Sequence, residues 1–283
     1  MSCPFRPQSL ALTIMLLLAV LLAACSSLPV PGTTDTGEPS RPAQPHSIVT
    51  IPRGQDLFDP FIVAIQPGAT VIWQNQDKAT HNIMTTWDHS SFLNPEPFSL
   101  MVAPGQKAMF TFKTPGIYDY FDSSQARWDT TDHRVAAHKG VPNFPLAMEG
   151  VIWVQGAIKD LPATASNIIP DGKDEFSTDF IAIARNGTIS WRNRDTDTHF
   201  VSLVPGWSAP INNGPFGSVE VKGVQAASPY GGTSVVRLHT AGLYYYYCAA
   251  HATINSSWHR AQAQQDASEY PVPMEGFILV GGG

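Results

Sequence analysis

The chain has 283 residues, only 14% of them charged, and is rich in glycine (22) and proline (24). That length suits one large domain or two of ordinary size, and the turn-rich, weakly charged composition favours an all-β protein over a helical one. The 17 Lys+Arg against 23 Asp+Glu give a formal net charge of −6 with no basic stripe, which excludes nucleic acid as a partner.

Residues 1–24 carry Arg6 ahead of a nearly unbroken apolar run over residues 10–24, too short and too poorly flanked for a membrane span. The run ends in Leu22-Ala23-Ala24-Cys25, similar to a bacterial lipoprotein signal. That resemblance implies cleavage before Cys25, lipidation of its thiol, and attachment of the chain to a membrane facing the periplasm or cell exterior. A plain secretory leader is the alternative, and both readings put the mature chain outside the cytoplasm. Residues 25–46, rich in Pro, Ser, Thr and Gly, read as a flexible tether. With Cys3 in the leader and Cys25 blocked by lipid, Cys248 is the remaining thiol. An unpaired cysteine in an oxidising compartment calls for burial or a metal.

The rest of the chain is an internal duplication. Thr70-Val71-Ile72-Trp73-Gln74-Asn75 leading to His81 recurs as Thr188-Ile189-Ser190-Trp191-Arg192-Asn193 leading to His199, an offset of 118. Gly116-Ile117-Tyr118 recurs as Gly242-Leu243-Tyr244, His133-Arg134 as His259-Arg260, and Met148-Glu149-Gly150 as Met274-Glu275-Gly276, all offset by 126. Eight residues were therefore inserted in the second copy, within residues 212–232, or lost from the first. The copies span 47–157 and 167–283, joined by a short Ala/Pro-containing link. Apolar runs such as Phe61-Ile62-Val63-Ala64-Ile65, ended by Pro67-Gly68 and followed at once by Val71-Ile72-Trp73, predict hairpins and a sandwich in each copy. Trp73 and Trp191 are candidate core residues. The tyrosines at 244–247 are expected to alternate, two inward and two outward. Arg260-Ala261-Gln262-Ala263-Gln264-Gln265-Asp266 favours a short helix before the last strand.

In the second copy His199 follows the turn, an aromatic strand delivers Cys248-Ala249-Ala250-His251, and Met274 opens the last strand. These residues resemble the plastocyanin, halocyanin and azurin group of cupredoxins across essentially all of 167–283. The resemblance implies two tandem Greek-key sandwiches and one mononuclear copper ion, with His199 and His251 as imidazole ligands, Cys248 as thiolate and Met274 as weak axial thioether. A soft thiolate suits Cu(I), imidazoles suit both states, and a weak axial donor keeps the geometry similar in each. Met274 has a second reading, because Met148 persists in a copy without the thiol and both methionines can be packing residues. The segment between His251 and Met274 is longer than in the family and carries His259, an alternative fourth ligand, although the recurrence of the His-Arg pair favours a structural role for it.

The first copy has Asp122 and Gln125 where the second has Cys248 and His251, and keeps His81, His133, His138 and Met148. It reads as scaffold or docking surface that lost blue copper; a harder metal site of His81, Asp122 and a loop histidine is the alternative. The function implied is lipid-tethered electron transfer, without catalysis, between redox partner proteins near a membrane. Copper storage or delivery is the competing class. A nitrite-reductase-like enzyme would need interface histidines, for which His81, His133, His138 or His239 are the candidates. No paired His-x-His motif of a multicopper oxidase occurs.

Overall fold

The computed structural model describes residues 46–212, 217–226 and 228–282, so the leader, Cys25 and nearly all of the tether lie outside the described residues. Among those described there are twenty strands and no helix. In the first copy β1 (His46–Ile51), β3 (Thr70–Asn75) and β6 (Lys107–Thr111) form a three-stranded sheet. The facing sheet runs in the order β2 (Ile62–Ile65), β10 (Glu149–Val154), β7 (Gly116–Asp122), β4 (His81–Thr85), β5 (Ser99–Val102), and β8 (Ala126–Asp129) pairs with β9 (Arg134–Ala137).

The second copy repeats this. One sheet holds β11 (Thr164–Ile169), β13 (Thr188–Asn193) and β16 (Thr233–Arg237). The other runs β12 (Phe180–Ile183), β20 (Glu275–Val280), β17 (Gly242–Cys248), β14 (His199–Leu203), β15 (Val219–Val221), and β18 (Ala252–Asn255) pairs with β19 (Arg260–Ala263). Register carries the repeat pair by pair: Thr70 meets Thr111 as Thr188 meets Arg237, and His81 meets Val102 as His199 meets Val221. The offset is thus 119 at β15 and 126 at β16, which puts one extra residue before Val221 and seven between Val221 and Thr233.

Each sandwich is filled from strands that alternate inward and outward. Val71, Trp73 and Asn75 are buried on β3, and Ile189, Trp191 and Asn193 on β13. Trp73 meets Tyr120 edge-on at 5.5 Å, and Trp191 meets Tyr246 at 5.6 Å. The glycine after each Met-Glu is required by the same packing, since a Cβ at Gly150 or Gly276 would run into the ring of Tyr120 or Tyr246.

Four expectations need correction. The runs β2 and β3 form no hairpin, because they lie in opposite sheets, as do β12 and β13. Residues 260–266 form no helix. Arg260–Ala263 is β19, because pairing Ala252 with Ala263 and Ile254 with Ala261 buries the alanines against the sheet, a gain that helix propensity does not match. The second copy starts at Thr164 rather than 167, because β11 pairs with β13 from Thr164–Thr188 onward; β1 likewise starts at His46. Nor do the tyrosines alternate between core and solvent. Tyr244 and Tyr246 point into the sandwich, yet Tyr245 is also fully buried, because the outer face of its sheet is covered by the other copy.

That covering makes a shared core of Phe61, Ile117, Val151 and Trp153 with Leu243, Tyr245, Phe277 and Leu279. Burying each such side chain contributes about 1.5–3 kcal/mol. The recurrent His-Arg pair closes the same interface from both sides. Arg134 of β9 pairs with Asp179 and Glu175 and donates to the carbonyls of Phe176 and Glu275. Arg260 of β19 donates to the Ala147 carbonyl at 2.8 Å and to Glu149 at 3.1 Å, with its guanidinium 3.8 Å from the Phe61 ring centroid.

Five carboxyls surround these two guanidiniums, Asp119, Glu175 and Glu275 buried and Glu149 and Asp179 half-buried. Glu275 accepts from the Tyr245 hydroxyl. Its carboxyl is pushed up to about 7, chiefly by burial and further by Glu149, against the opposing pull of Arg260. A carboxyl whose pKa rises on folding contributes stability that is complete below its unfolded value of 4.5 and is lost as pH climbs through the folded one. Urea unfolding of the metal-free chain should therefore show this group costing on the order of 3 kcal/mol at pH 8 relative to pH 5. Glu275→Gln should flatten that part of the profile; an unchanged profile would refute the assignment.

Candidate metal centre

His199 is the first residue of β14, placed by the turn before it. Asn193 fixes that turn: its Oδ1 accepts from the Asp195 N–H at 2.8 Å, and its Nδ2 donates to the carbonyls of Asp197 (2.6 Å) and Val221 (3.1 Å). Cys248 is the last residue of β17 and His251 follows in a turn closed by the His251 N–H on the Cys248 carbonyl at 3.2 Å. The Cys248 N–H donates to the Met274 carbonyl at 2.9 Å, which ties the strand end to the segment before β20.

These elements bring three donors together. Nδ1 of His199 and Nδ1 of His251 each lie 3.6 Å from Cys248 Sγ, and the imidazole centroids are 4.7 Å apart. Cys248 and His199 are fully buried, whereas the His251 side chain keeps 16% of its surface. A first-row ion bonded to nitrogen at about 2.0 Å and sulfur at about 2.3 Å holds such donors roughly 3.7 Å apart in a trigonal plane, so this set fits a single ion. Its composition, one thiolate and two imidazoles, suits copper.

The outer nitrogens are engaged as well. Nε2 of His199 lies 3.4 Å from Asp195 Oδ2, and Nε2 of His251 lies 3.2 Å from Asp174 Oδ1. A carboxylate behind each ring keeps the proton on Nε2 and turns the Nδ1 lone pair toward the sulfur. Burial pushes the Cys248 thiol up, against the backbone N–H groups of Phe200, Ala250 and His251. Burial also pushes His199 down, helped by His251. A cation between them would reverse the pressure on the thiol by favouring thiolate and reinforce that on His199 by favouring neutral imidazole. Neither carboxylate was singled out in the sequence. Asp195 had a signal, the repeated Asn-x-Asp turn (Asn75-x-Asp77, Asn193-x-Asp195), whereas Asp174 reaches His251 from a distant loop with no local motif.

Met274 is 1% exposed and packs in the same core cluster as Cys248. Met148 does likewise in the first copy, its carbonyl accepting from the Asp122 N–H at 2.9 Å, so the backbone role of this methionine belongs to both copies. His259 does not join the donors around Cys248. With φ of 50° it sits against Gly206, and its carbonyl accepts from Trp207 Nε1 at 3.0 Å. His133 takes the same place in the first copy (φ 54°), 2.9 Å from Asp88.

In the first copy Asp122 stands where Cys248 does. Its Oδ2 lies 2.5 Å from His81 Nδ1, both groups fully buried, and its Oδ1 accepts from Asn82 N–H and from Ser124. Among the described residues no group of three metal donors forms around His81. His239, another candidate for an interface site, faces Asn186 Oδ1 at 2.9 Å.

The family model of copper-binding proteins of the plastocyanin/azurin family matches residues 46–124, which is the copy without the thiol. A plastocyanin of Scenedesmus fuscus is 37% identical over 81 residues, covering 26% of this chain and 83% of that protein. Among solved structures, a purple cupredoxin from Nitrosopumilus maritimus is 21% identical over 38% of this chain and 99% of its own, with a TM-score of 0.26. Amicyanin from Paracoccus versutus is 22% identical over 38% and 79%, also at 0.26.

Proposed function

Because the chain belongs to the plastocyanin/azurin family of copper-binding proteins, we propose that it is a lipid-anchored type 1 copper electron carrier of a bacterial envelope, with its ion held in the second copy by Cys248, His199, His251 and Met274. The observation that carries this reading is the convergence of two Nδ1 atoms on one buried sulfur, each imidazole backed by a carboxylate. Bound there, copper supplies a one-electron couple between Cu(I) and Cu(II).

The remaining work belongs to the chain. Cys248 and His199 stand on paired strands of one sheet, where Val201 is the register partner of Cys248, so neither can move without breaking the ladder. Burial excludes water from the sulfur. Asp195 and Asp174 hold the two rings, so the donors stay in place whichever charge the ion carries, and little rearrangement opposes electron transfer. The partly exposed His251 is the donor nearest to solvent and is where a redox partner protein meets the site. Leu22-Ala23-Ala24-Cys25 supports attachment through lipid on Cys25, and the tether gives the sandwich pair reach above the membrane.

Copper titration of the mature chain tests this. One ion per chain and an intense thiolate-to-Cu(II) absorption are expected, with Cys248→Ser abolishing the band and leaving the fold intact. A colourless Cu(II) form with ordinary type 2 paramagnetic resonance would sink the reading.

A further inference from the structure

A cavity of about 250 Å³ lies between the copies, lined by Asp119, Asp179, Asp88, His133, Trp128 and Phe180 among others. The duplication provides a control for it, since each lining residue has a counterpart on the opposite side of the interface. The counterparts of Asp119, Asp179 and Asp88 are Tyr245, Phe61 and Gly206. There the space is filled by rings: Tyr245 stacks on Phe277 at 4.6 Å, Phe61 lies under Arg260, and His259 packs onto Gly206. On the cavity side of the interface a carboxylate stands in each of these places, Asp119 and Asp88 from the first copy and Asp179 from the second, and the space is open.

The carboxylates are not equivalent. Asp179 is paired with Arg134, and Asp88 with His133 at 2.9 Å. Asp119 is 2% exposed, and its Oδ1 has no hydrogen-bond partner among the described residues. Burial, Glu149 and Asp179 hold its carboxyl well above the usual range, which marks a position short of positive charge. A metal ion suits the site poorly. The one trio of donors that includes a lining residue, Asp132 with Glu175 and Glu269, is already held by Lys173 Nζ, and the cavity is far larger than a bare ion. Trp128 and Phe180 offer aromatic surface of the kind that takes an organic cation.

We propose that this cavity binds a small organic cation, a primary ammonium whose N–H donors meet Asp119 and whose carbon skeleton packs against Trp128 and Phe180. Calorimetric titration of the copper-loaded mature chain with butylammonium at constant ionic strength, with Mn²⁺ as the competing class, tests it. Saturable 1:1 binding is expected. Asp119→Asn should weaken it at least tenfold, and Asp119→Tyr, which restores the second-copy residue, should abolish it with the blue band unchanged. Trp128→Ala, at the half-buried rim, should weaken binding by an independent route should either Asp119 variant fold poorly. Absence of saturable heat, binding indifferent to Asp119→Asn and Trp128→Ala, or saturation by Mn²⁺ alone would overturn the proposal.

Discussion

Replacing Arg134 with alanine should lower the unfolding free energy of the metal-free chain by about 3–5 kcal/mol, the cost of removing one partner from a buried ion pair. The guanidinium is 3% exposed and is shared by two carboxyls, Asp179 and Glu175, and two carbonyls, all from the other copy. Truncation leaves Asp179 without its cation, while Glu175 keeps Lys173 at 3.1 Å. Burial already holds the Asp179 carboxyl well above its ordinary range, and Arg134 is the charge that opposes this. Without Arg134 that carboxyl takes up a proton more readily, so the loss should be smaller at pH 5 than at pH 8. Lysine should not rescue, because a point charge cannot serve two carboxylates and two carbonyls on different sides as a planar fork does. Arg260 makes the weaker comparison, since Phe61 occupies the place of Asp179 and Glu149 is the one carboxylate paired with it. Arg260→Met should keep much of its packing and cost less. Urea midpoints for the variants at both pH values decide the matter, and an Arg134→Ala midpoint equal to the parent's would mean that the two copies are not joined through this side chain.

The duplication was legible because the residues that repeat do the same physical work twice. Trp73 and Trp191 fill the sandwiches, Asn75 and Asn193 pin the turns, and Gly150 and Gly276 make room for a tyrosine ring. His199, Cys248 and His251 were picked out through the resemblance to the cupredoxins, and the fold brings all three together. The interface was not legible. A buried Tyr245 and a solvent-facing one look identical in a β-strand, and only the arrival of the second sheet on its outer face distinguishes them. The residues of β19 have strong helix propensity and become a strand because alanines at 261 and 263 pair across to β18. Asp174 escaped notice for a similar reason, since its partner on His251 is set by how two loops meet. Local pattern encodes what a strand buries on its own sheet; contacts supplied by another part of the chain leave no local period.

Restoring the two lost donors of the first copy, by Asp122→Cys together with Gln125→His, should raise copper content from one ion per chain to two and increase the thiolate absorption roughly twofold. The surrounding frame is already in place. His81 turns Nδ1 toward residue 122 as His199 turns Nδ1 toward Cys248. The Asn82 N–H donates to the Asp122 side chain as the Phe200 N–H does to Cys248 Sγ. Asn75 donates to the Ala79 and Val102 carbonyls, repeating the bonds of Asn193. The turn is matched too: the Gln125 carbonyl accepts from His138 N–H at 2.9 Å, as that of His251 accepts from Gln264 N–H at 3.0 Å. Asp77 stands behind His81 at 3.7 Å, Asp56 acts on it electrostatically, and Met148 is buried in the position of Met274. The substitution removes the carboxylate that now engages Nδ1 of His81 and so frees that nitrogen to bind. Asp122→Cys alone supplies two donors rather than three and should bind copper weakly, without the intense band. Metal analysis and the visible spectrum of the double variant read the outcome directly. A folded double variant that still holds one ion would show that the first copy lost more than its two donors, and that the frame itself no longer positions a metal.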